Sequence, residues 1–246
     1  MFKAYYGFAK NPFDKQHLSE ADRFPSKDYQ EMLSRLTYLK DVRGIGVFTS
    51  NPGFGKTYAL RCFVKGLDRN LYQMHYLCLS TVSVLEFYRQ LCLELGLDLS
   101  NSKTKMFKAF RDRVHHLLRE KKRPLILAID EAHELDAGIL TDLKMIMNFE
   151  YDHTHGFTLV LIGEPHLNRI LEKPIHEALR QRITVHYDFE GMDSDEVKRY
   201  IIHKLRLAGA ADTIVGEDAI HAIVGGCHGN PRLIDRMMTE ALTLGA

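Results

Sequence analysis

An eight-residue loop, Ser50-Asn51-Pro52-Gly53-Phe54-Gly55-Lys56-Thr57, lies between the apolar run Gly46–Thr49 and a helical pattern over Lys56–Leu67. A strand that feeds such a loop into a helix confines the chain to α/β architectures, and the residue types say what the loop holds. Gly53 and Gly55 let the backbone curl so that its N–H groups converge on phosphate oxygens. The helix start adds free donors and the positive end of its dipole. Lys56 is placed to reach the β- and γ-phosphates of a nucleotide, and the Thr57 hydroxyl to ligate Mg²⁺. The predicted nucleotide contacts run from Ser50 through Thr57 and include Tyr58. Ser50 stands where such loops usually begin with glycine, a position serine fits if its φ is negative.

The remaining pattern agrees with an α/β layer. A helix is predicted over 28–41, with Met32, Leu33, Leu36 and Leu39 on one side. Strand Tyr72–Leu79, helix Ser83–Leu95 and helix Lys103–Arg119 come next. Leu125–Ile129 is continuously apolar, as a strand buried on both faces must be. Helix 137–148 and strands Thr158–Ile162 and Ile183–Tyr187 complete an alternation that predicts a mostly parallel five-stranded sheet. After Phe189 the pattern changes to three helices, 193–208, 216–225 and 231–244. The organisation expected is an aromatic-rich segment 1–30 packed on an α/β domain 31–190, then a helical lid 191–246.

Leu125–Ile129 runs directly into Asp130-Glu131-Ala132-His133. Two carboxylates at the end of a buried strand are costly unless they have work to do. Asp130 is suited to hold Mg²⁺ through its water shell, and Glu131 to polarise an attacking water. ATP with Mg²⁺ is therefore the predicted cofactor pair. His133 reads as a local hydrogen-bonding residue.

Residues Tyr6-Gly7-Phe8…Asn11-Pro12-Phe13, the loop above, Asp130-Glu131-Ala132-His133, Leu161-Ile162-Gly163-Glu164-Pro165, Leu179-Arg180-Gln181-Arg182-Ile183 and Gly229-Asn230-Pro231-Arg232 occur in this order. The set resembles the AAA+ ATPases, and within them the ExeA-like branch, over essentially the whole chain. The resemblance implies a P-loop NTPase fold and slow, Mg²⁺-dependent ATP hydrolysis. It implies an arginine finger at Arg180 or Arg182, acting in trans and so requiring an oligomer, and a sensor arginine at Arg232. Glu164 falls in the sensor-1 region, where the family usually has a neutral polar residue. Similar chains include transposition regulators of the TnsC, TniB, MuB and IstB type, which assemble on DNA and engage a transposase. Others are envelope ATPases of type II secretion with a membrane span after the ATPase domain. Here the chain stops at Ala246, straight after the lid, which favours the transposition expectation.

Charge is distributed unevenly. The 246-residue chain nets +1, so any basic surface is local. Lys103, Lys105, Lys108, Arg111, Arg113, Arg119, Lys121, Lys122 and Arg123 are opposed in their segment only by Asp112 and Glu120. Phe107, Phe110, Val114, Leu117 and Leu118 form an apolar stripe, and Lys105, Lys108, Arg111, His115 and Arg119 lie opposite at helical spacing. Such a row suits the backbone of double-stranded DNA, with little sequence preference. Lys103 and Lys105, with Thr81 and Ser83, are the first candidates for backbone contacts, ahead of Lys108 and Arg111.

Other signals carry less. Cys62, Cys78, Cys92 and Cys227 are far apart and form no CxxC, which argues against a disulfide framework or zinc knuckle. No apolar run approaches the ~20 residues of a membrane span. A cytoplasmic protein without a membrane association is expected. His153 and His155 lack a third ligand nearby, and Asp193-Ser194-Asp195-Glu196 reads as a helix cap. Phe13 and Phe24 read as core, or as a border for an adenine.

Overall fold

The computed structural model describes residues 2–14, 22–78, 83–149, 154–210 and 214–246. In chain order the elements are α1 (Phe2–Tyr6), α2 (Lys27–Val42), β1 (Ile45–Thr49), α3 (Lys56–Gly66), β2 (Gln73–Cys78), α4 (Val84–Glu94) and α5 (Lys103–His115). After these come β3 (Leu125–Asp130), α6 (Ala137–Ile146), β4 (Asn148–Phe149), β5 (Thr154–His155), β6 (Thr158–Gly163), α7 (His166–Leu171), α8 (Glu177–Arg180) and β7 (Ile183–Asp188). The last three are α9 (Ser194–Leu207), α10 (Glu217–Cys227) and α11 (Pro231–Leu244). The chain divides into two compact units, a sheet unit of Met32–Asn51 and Lys56–Asp188 and a helical unit of Met1–Glu31, Pro52–Gly55 and Phe189–Ala246.

In the sheet unit, five strands lie in the order β2-β3-β6-β1-β7, all parallel. Strands β1, β3 and β6 are buried at every position, which is why their sequences are apolar without alternation. Edge strands β2 and β7 are only partly covered and carry polar residues. Leu125, Leu127 and Ile129 point into a core with Phe87, Leu91, Phe110, Val114, Ile139 and Leu143 from α4, α5 and α6. Gly46 faces the other way, directly beneath Leu39 of α2, where a side chain would collide with Leu39 Cδ2 at 2.5 Å. Helices thus cover both faces of the sheet.

All five expected strands and the expected long helices are present within a residue or two, with one difference. The helix predicted to reach Arg119 ends its regular course at His115 and continues as a wider π-turn, His116–Glu120. Helices α1, α7 and α8 and the two-residue β4–β5 ribbon are too short to give a periodic signal.

The helical unit has its own core. Phe8 and Phe13 are buried with Val197, Tyr200, Ile201, Ile223, Ile234 and Met238. The aromatic N-terminal segment, expected to pack on the α/β layer, belongs instead to this core, because the amphipathic helices α9–α11 leave apolar stripes that three helices alone do not close. Phe24 stacks edge-on against Tyr200, 5.4 Å between centroids. Asp28, in the first turn of α2, accepts the N–H groups of Glu190 and Gly191, while Glu196 accepts Lys27 N–H at 2.7 Å. Among the described residues, no helix is long and apolar enough to cross a membrane.

Phe110 is fully buried and meets Phe157 edge-on at 5.5 Å. Phe110→Ala should destabilise the sheet unit by about 3–5 kcal/mol, read as a lower denaturant midpoint in a chemical unfolding curve.

Candidate nucleotide-binding site

The sequence sets the loop after β1 because Thr49 ends the buried strand and Ser50 turns away from it. Ser50 N–H still donates to Gly163 O of β6, at 3.2 Å. Ser50 is 3% exposed and is not among the residues with positive φ, so the missing glycine costs nothing. Its Oγ donates to Asn51 O and accepts the Lys56 ammonium at 2.8 Å. Lys56 Nζ also donates to Ser50 O at 2.7 Å and to Asn51 O at 3.4 Å. The ammonium is held by neutral oxygens of the loop, a set that phosphate oxygens would outcompete. Gly53 and Gly55 have φ of +90 and +100, as the expected curl requires. Tyr58 lies half-buried in the first turn of α3.

Asp130 ends β3 with 4% exposure. Its Oδ2 accepts Thr57 Oγ–H at 2.9 Å and Tyr76 O–H at 2.8 Å, and its Oδ1 accepts Glu131 N–H at 2.9 Å. The predicted metal pair Thr57 and Asp130 is therefore already in contact. A hydroxyl and a carboxylate are hard oxygen donors, the set Mg²⁺ takes alongside water and phosphate. Tyr76 is a site residue that sequence reasoning misses. Burial and the Asp130 carboxylate raise its phenol well above the ordinary value, so it stays a donor at neutral pH. Glu131 adopts the left-handed region, φ 55, with its side chain about half exposed. That conformation costs a non-glycine residue roughly 1–2 kcal/mol, and the Glu131 carboxylate lies 3.5 Å from His133 Nδ1. His133 Nδ1 accepts Glu164 N–H at 3.2 Å, the local role expected of it, and this fixes the Glu164 backbone beside the end of β3.

A second polar group closes the same end of the sheet. Asp188, the last residue of β7, accepts Thr49 Oγ–H and, at 2.8 Å, Asn168 Nδ2–H. Asn168 Oδ1 lies 3.1 Å from His186 Nε2. Burial opposes ionisation of Asp188, but the Thr49 and Asn168 hydrogen bonds prevail and hold its pKa below the usual value. This network ties β1, just before the loop, to β7 and α7.

The two finger candidates differ. Arg182 is half-buried and donates to Lys144 O at 3.3 Å. Arg180 is exposed at the end of α8. In the helical unit, Asn230 begins α11: its Oδ1 accepts Arg232 N–H at 2.9 Å, and its Nδ2–H donates to Pro52 O, also at 2.9 Å. Arg232 is exposed, and its Cβ lies 2.8 Å from where a Cβ on Gly53 would be. Phe54 sits equally close to Gly191, whose Cβ would meet the ring at 2.7 Å. Phe13 and Phe24 pack in the helical core.

The basic segment is only partly as expected. Met106, Phe110, Val114 and Leu117 are its buried stripe, and Lys105, Lys108 and Arg111 are exposed. Lys103, a first candidate for DNA, instead reaches Asp142 of α6 at 2.6 Å and lies over the Tyr88 ring. At the first position of α5, this cation finds a carboxylate on the neighbouring helix. Ser83 caps α4 by accepting Glu86 N–H. Thr81 and His153 lie outside the described residues.

A glycine-bearing loop between β1 and α3, with a carboxylate from β3 on the helix's second residue, defines a P-loop NTPase site. The chain belongs to the AAA domain family, whose model matches residues 20–171. It is 29% identical over 247 residues to General secretion pathway protein A of Aeromonas hydrophila, covering 98% of this chain and 44% of that one. The chain thus spans less than half the length of that relative. Among solved structures it superposes on Cdc6p from Pyrobaculum aerophilum with a TM-score of 0.70 at 17% identity, covering 95% of this chain and 65% of the other. On the Aeropyrum pernix ORC1 protein in complex with DNA the TM-score is 0.66 at 13% identity, with 97% and 64% covered.

His176, 2% exposed just before α8, has no hydrogen-bond partner on either ring nitrogen among the described residues. Burial, and then the nearby Lys173 charge, hold its pKa below the ordinary histidine value. The unfolded chain therefore takes up this proton first, and stability falls as pH drops below about 6.5. His176→Leu should flatten that fall, seen as a smaller loss of Tm between pH 7.5 and 5.5 than in the parent.

Proposed function

We propose that the chain is a Mg²⁺-dependent ATPase that assembles with itself on double-stranded DNA in the ATP state, and that hydrolysis dismantles the assembly. The observation that carries the chemistry is Asp130, whose carboxylate joins the loop's Thr57 to the end of β3. On this reading Thr57 and Asp130 hold the metal, Lys56 the β- and γ-phosphates, and Glu131 polarises water. Arg232 senses the γ-phosphate from the start of α11. Arg180, exposed where Arg182 is engaged with Lys144 O, is the finger offered to a neighbouring copy.

The exposed Lys105, Lys108 and Arg111 on α5 supply the DNA surface, while Lys103, also exposed, is engaged with Asp142. The sequence resemblance to transposition regulators extends the reading to target selection and recruitment of a transposase by a cytoplasmic protein. The likeness in fold to a DNA-complexed ORC1 supports DNA as a partner. A second reading, an accessory ATPase of secretion without DNA activity, is carried by the identity to General secretion pathway protein A across nearly the whole chain.

Anisotropy of a labelled random-sequence duplex separates the two. Binding should require ATP and weaken with salt, each phosphate contact adding about 0.9 to the slope of log K against log salt. Glu131→Gln should lower hydrolysis by roughly a hundredfold or more and prolong the bound state. No DNA binding with any nucleotide, beside intact hydrolysis, would favour the secretion reading. Arg180→Ala should reduce turnover by about a hundredfold or more yet leave ATP affinity nearly unchanged, while Arg182→Ala should chiefly lower Tm. The reverse pattern would move the finger to Arg182.

A further inference from the structure

The last motif of the resemblance places an asparagine before the proline that opens α11. As a helix cap, Asn230 needs only its side-chain oxygen. That oxygen accepts N–H from Arg232 at 2.9 Å and from Leu233 at 3.4 Å. Pro231 at the first helical position has no N–H to satisfy, so the cap is complete with these two bonds. The amide nitrogen is left over, and it donates to Pro52 O at 2.9 Å, within the nucleotide loop. An aspartate or serine would cap equally well; only an amide also reaches the loop as a donor.

The approach on that side is close. A Cβ on Gly53 would lie 2.6 Å from Asn230 Oδ1 and 2.8 Å from Arg232 Cβ. Phe54, next in the loop, is packed against Gly191. Gly191 is itself held by Asp28, which accepts its N–H at 2.8 Å. The loop tip therefore rests on two fixed supports, α11's first turn and the segment after β7. Of the two, the Asn230 bond is the one made to the loop's backbone. Pro52 contributes no N–H, so its carbonyl is the group through which this residue is oriented.

We propose that Asn230 is a positioning residue for nucleotide: its oxygen starts α11 and sets Arg232, while its nitrogen holds Pro52 and with it the path of the loop amides that receive phosphate. The inference rests on the nucleotide-binding reading of the loop. One side chain makes the position of Arg232 and the shape of the loop a single geometric fact, so the two cannot be tuned separately. Loss of the nitrogen should loosen the loop without melting the helix.

The test compares the full chain with Asn230→Asp, Asn230→Ser and Asn230→Ala. Asp and Ser keep a capping oxygen and lose the amide nitrogen that reaches Pro52; the only donor of Ser is on the capping oxygen itself, and Ser adds no charge. In nucleotide-free protein, hydrogen exchange of the peptide covering residues 51–57 should speed up in all three variants. Tm should stay near the parent's in Asp and Ser and fall only in Ala. Affinity for a fluorescent ATP analogue with Mg²⁺ should drop about five- to tenfold in Asp and Ser, the loss of roughly one net hydrogen bond. Unchanged exchange and affinity in both would overturn the proposal. So would losses that track Tm across the three variants, because they would mark Asn230 as a cap alone. If the loop loosens as stated but the parent binds no nucleotide, the positioning bond stands and the nucleotide reading is what fails.

Discussion

A carboxylate at the end of a strand buried on both faces has few places to go. Asp130 solves this by accepting three hydrogen bonds, from Thr57, Tyr76 and the next backbone N–H. The cost of burying the carboxylate is thereby offset, and the group is held toward the start of α3. Other features of the site depend on that one anchor. The bond to Thr57 fixes α3 relative to β3, although β6 lies between β3 and the strand that leads into α3. It also forces the chain to turn sharply at once, which Glu131 does by adopting a positive φ. The strain there is local, and the Glu131 carboxylate lies 3.5 Å from His133 Nδ1.

Much of the sheet is legible in the sequence because buried parallel strands leave no choice of residue. A run such as Leu-Ile-Leu-Ala-Ile admits one environment, and Gly-Phe-Gly-Lys-Thr after a strand admits few. Short helices such as α7 and α8 are not legible, since six and four residues contain less than two helical turns. The N-terminal aromatics read as core, and they are, but in the helical unit rather than against the sheet. Composition says that Phe8 and Phe13 must be buried; it does not say against which apolar stripe.

Tyr76 shows what pairing adds. Its strand reads as an ordinary edge strand, and nothing in Gln-Met-His-Tyr-Leu-Cys marks a ligand-positioning phenol. The register settles it. Tyr76 pairs with Ala128 and Cys78 with Asp130, so Tyr76 lies diagonally behind Asp130 on the same face. The Thr49–Asp188–Asn168 network is hidden in the same way, because its members end or come after three different strands. Asn230 is intermediate: its cap is implied by Asn-Pro at a helix start, whereas the bond to Pro52 joins residues 178 positions apart.

The basic helix shows the limit of counting charges. Nine cations in one segment suggest a broad footprint, yet Lys103 is paired with Asp142 and Arg123 donates to Arg69 O. Those that face outward in a line are Lys105, Lys108 and Arg111, spanning about 9 Å at 1.5 Å per residue. Arg119, also exposed, lies in the π-turn at His116–Glu120, where the regular helical spacing of the row no longer holds. A row that short meets only two or three phosphates, too few for useful affinity at physiological salt. On the proposed reading, one copy alone should hardly hold DNA. Copies joined through the ATP site would present such rows in series, each raising the effective concentration of the next. On that reading the short row would make DNA binding depend on assembly, and assembly, through Arg180, would depend on ATP.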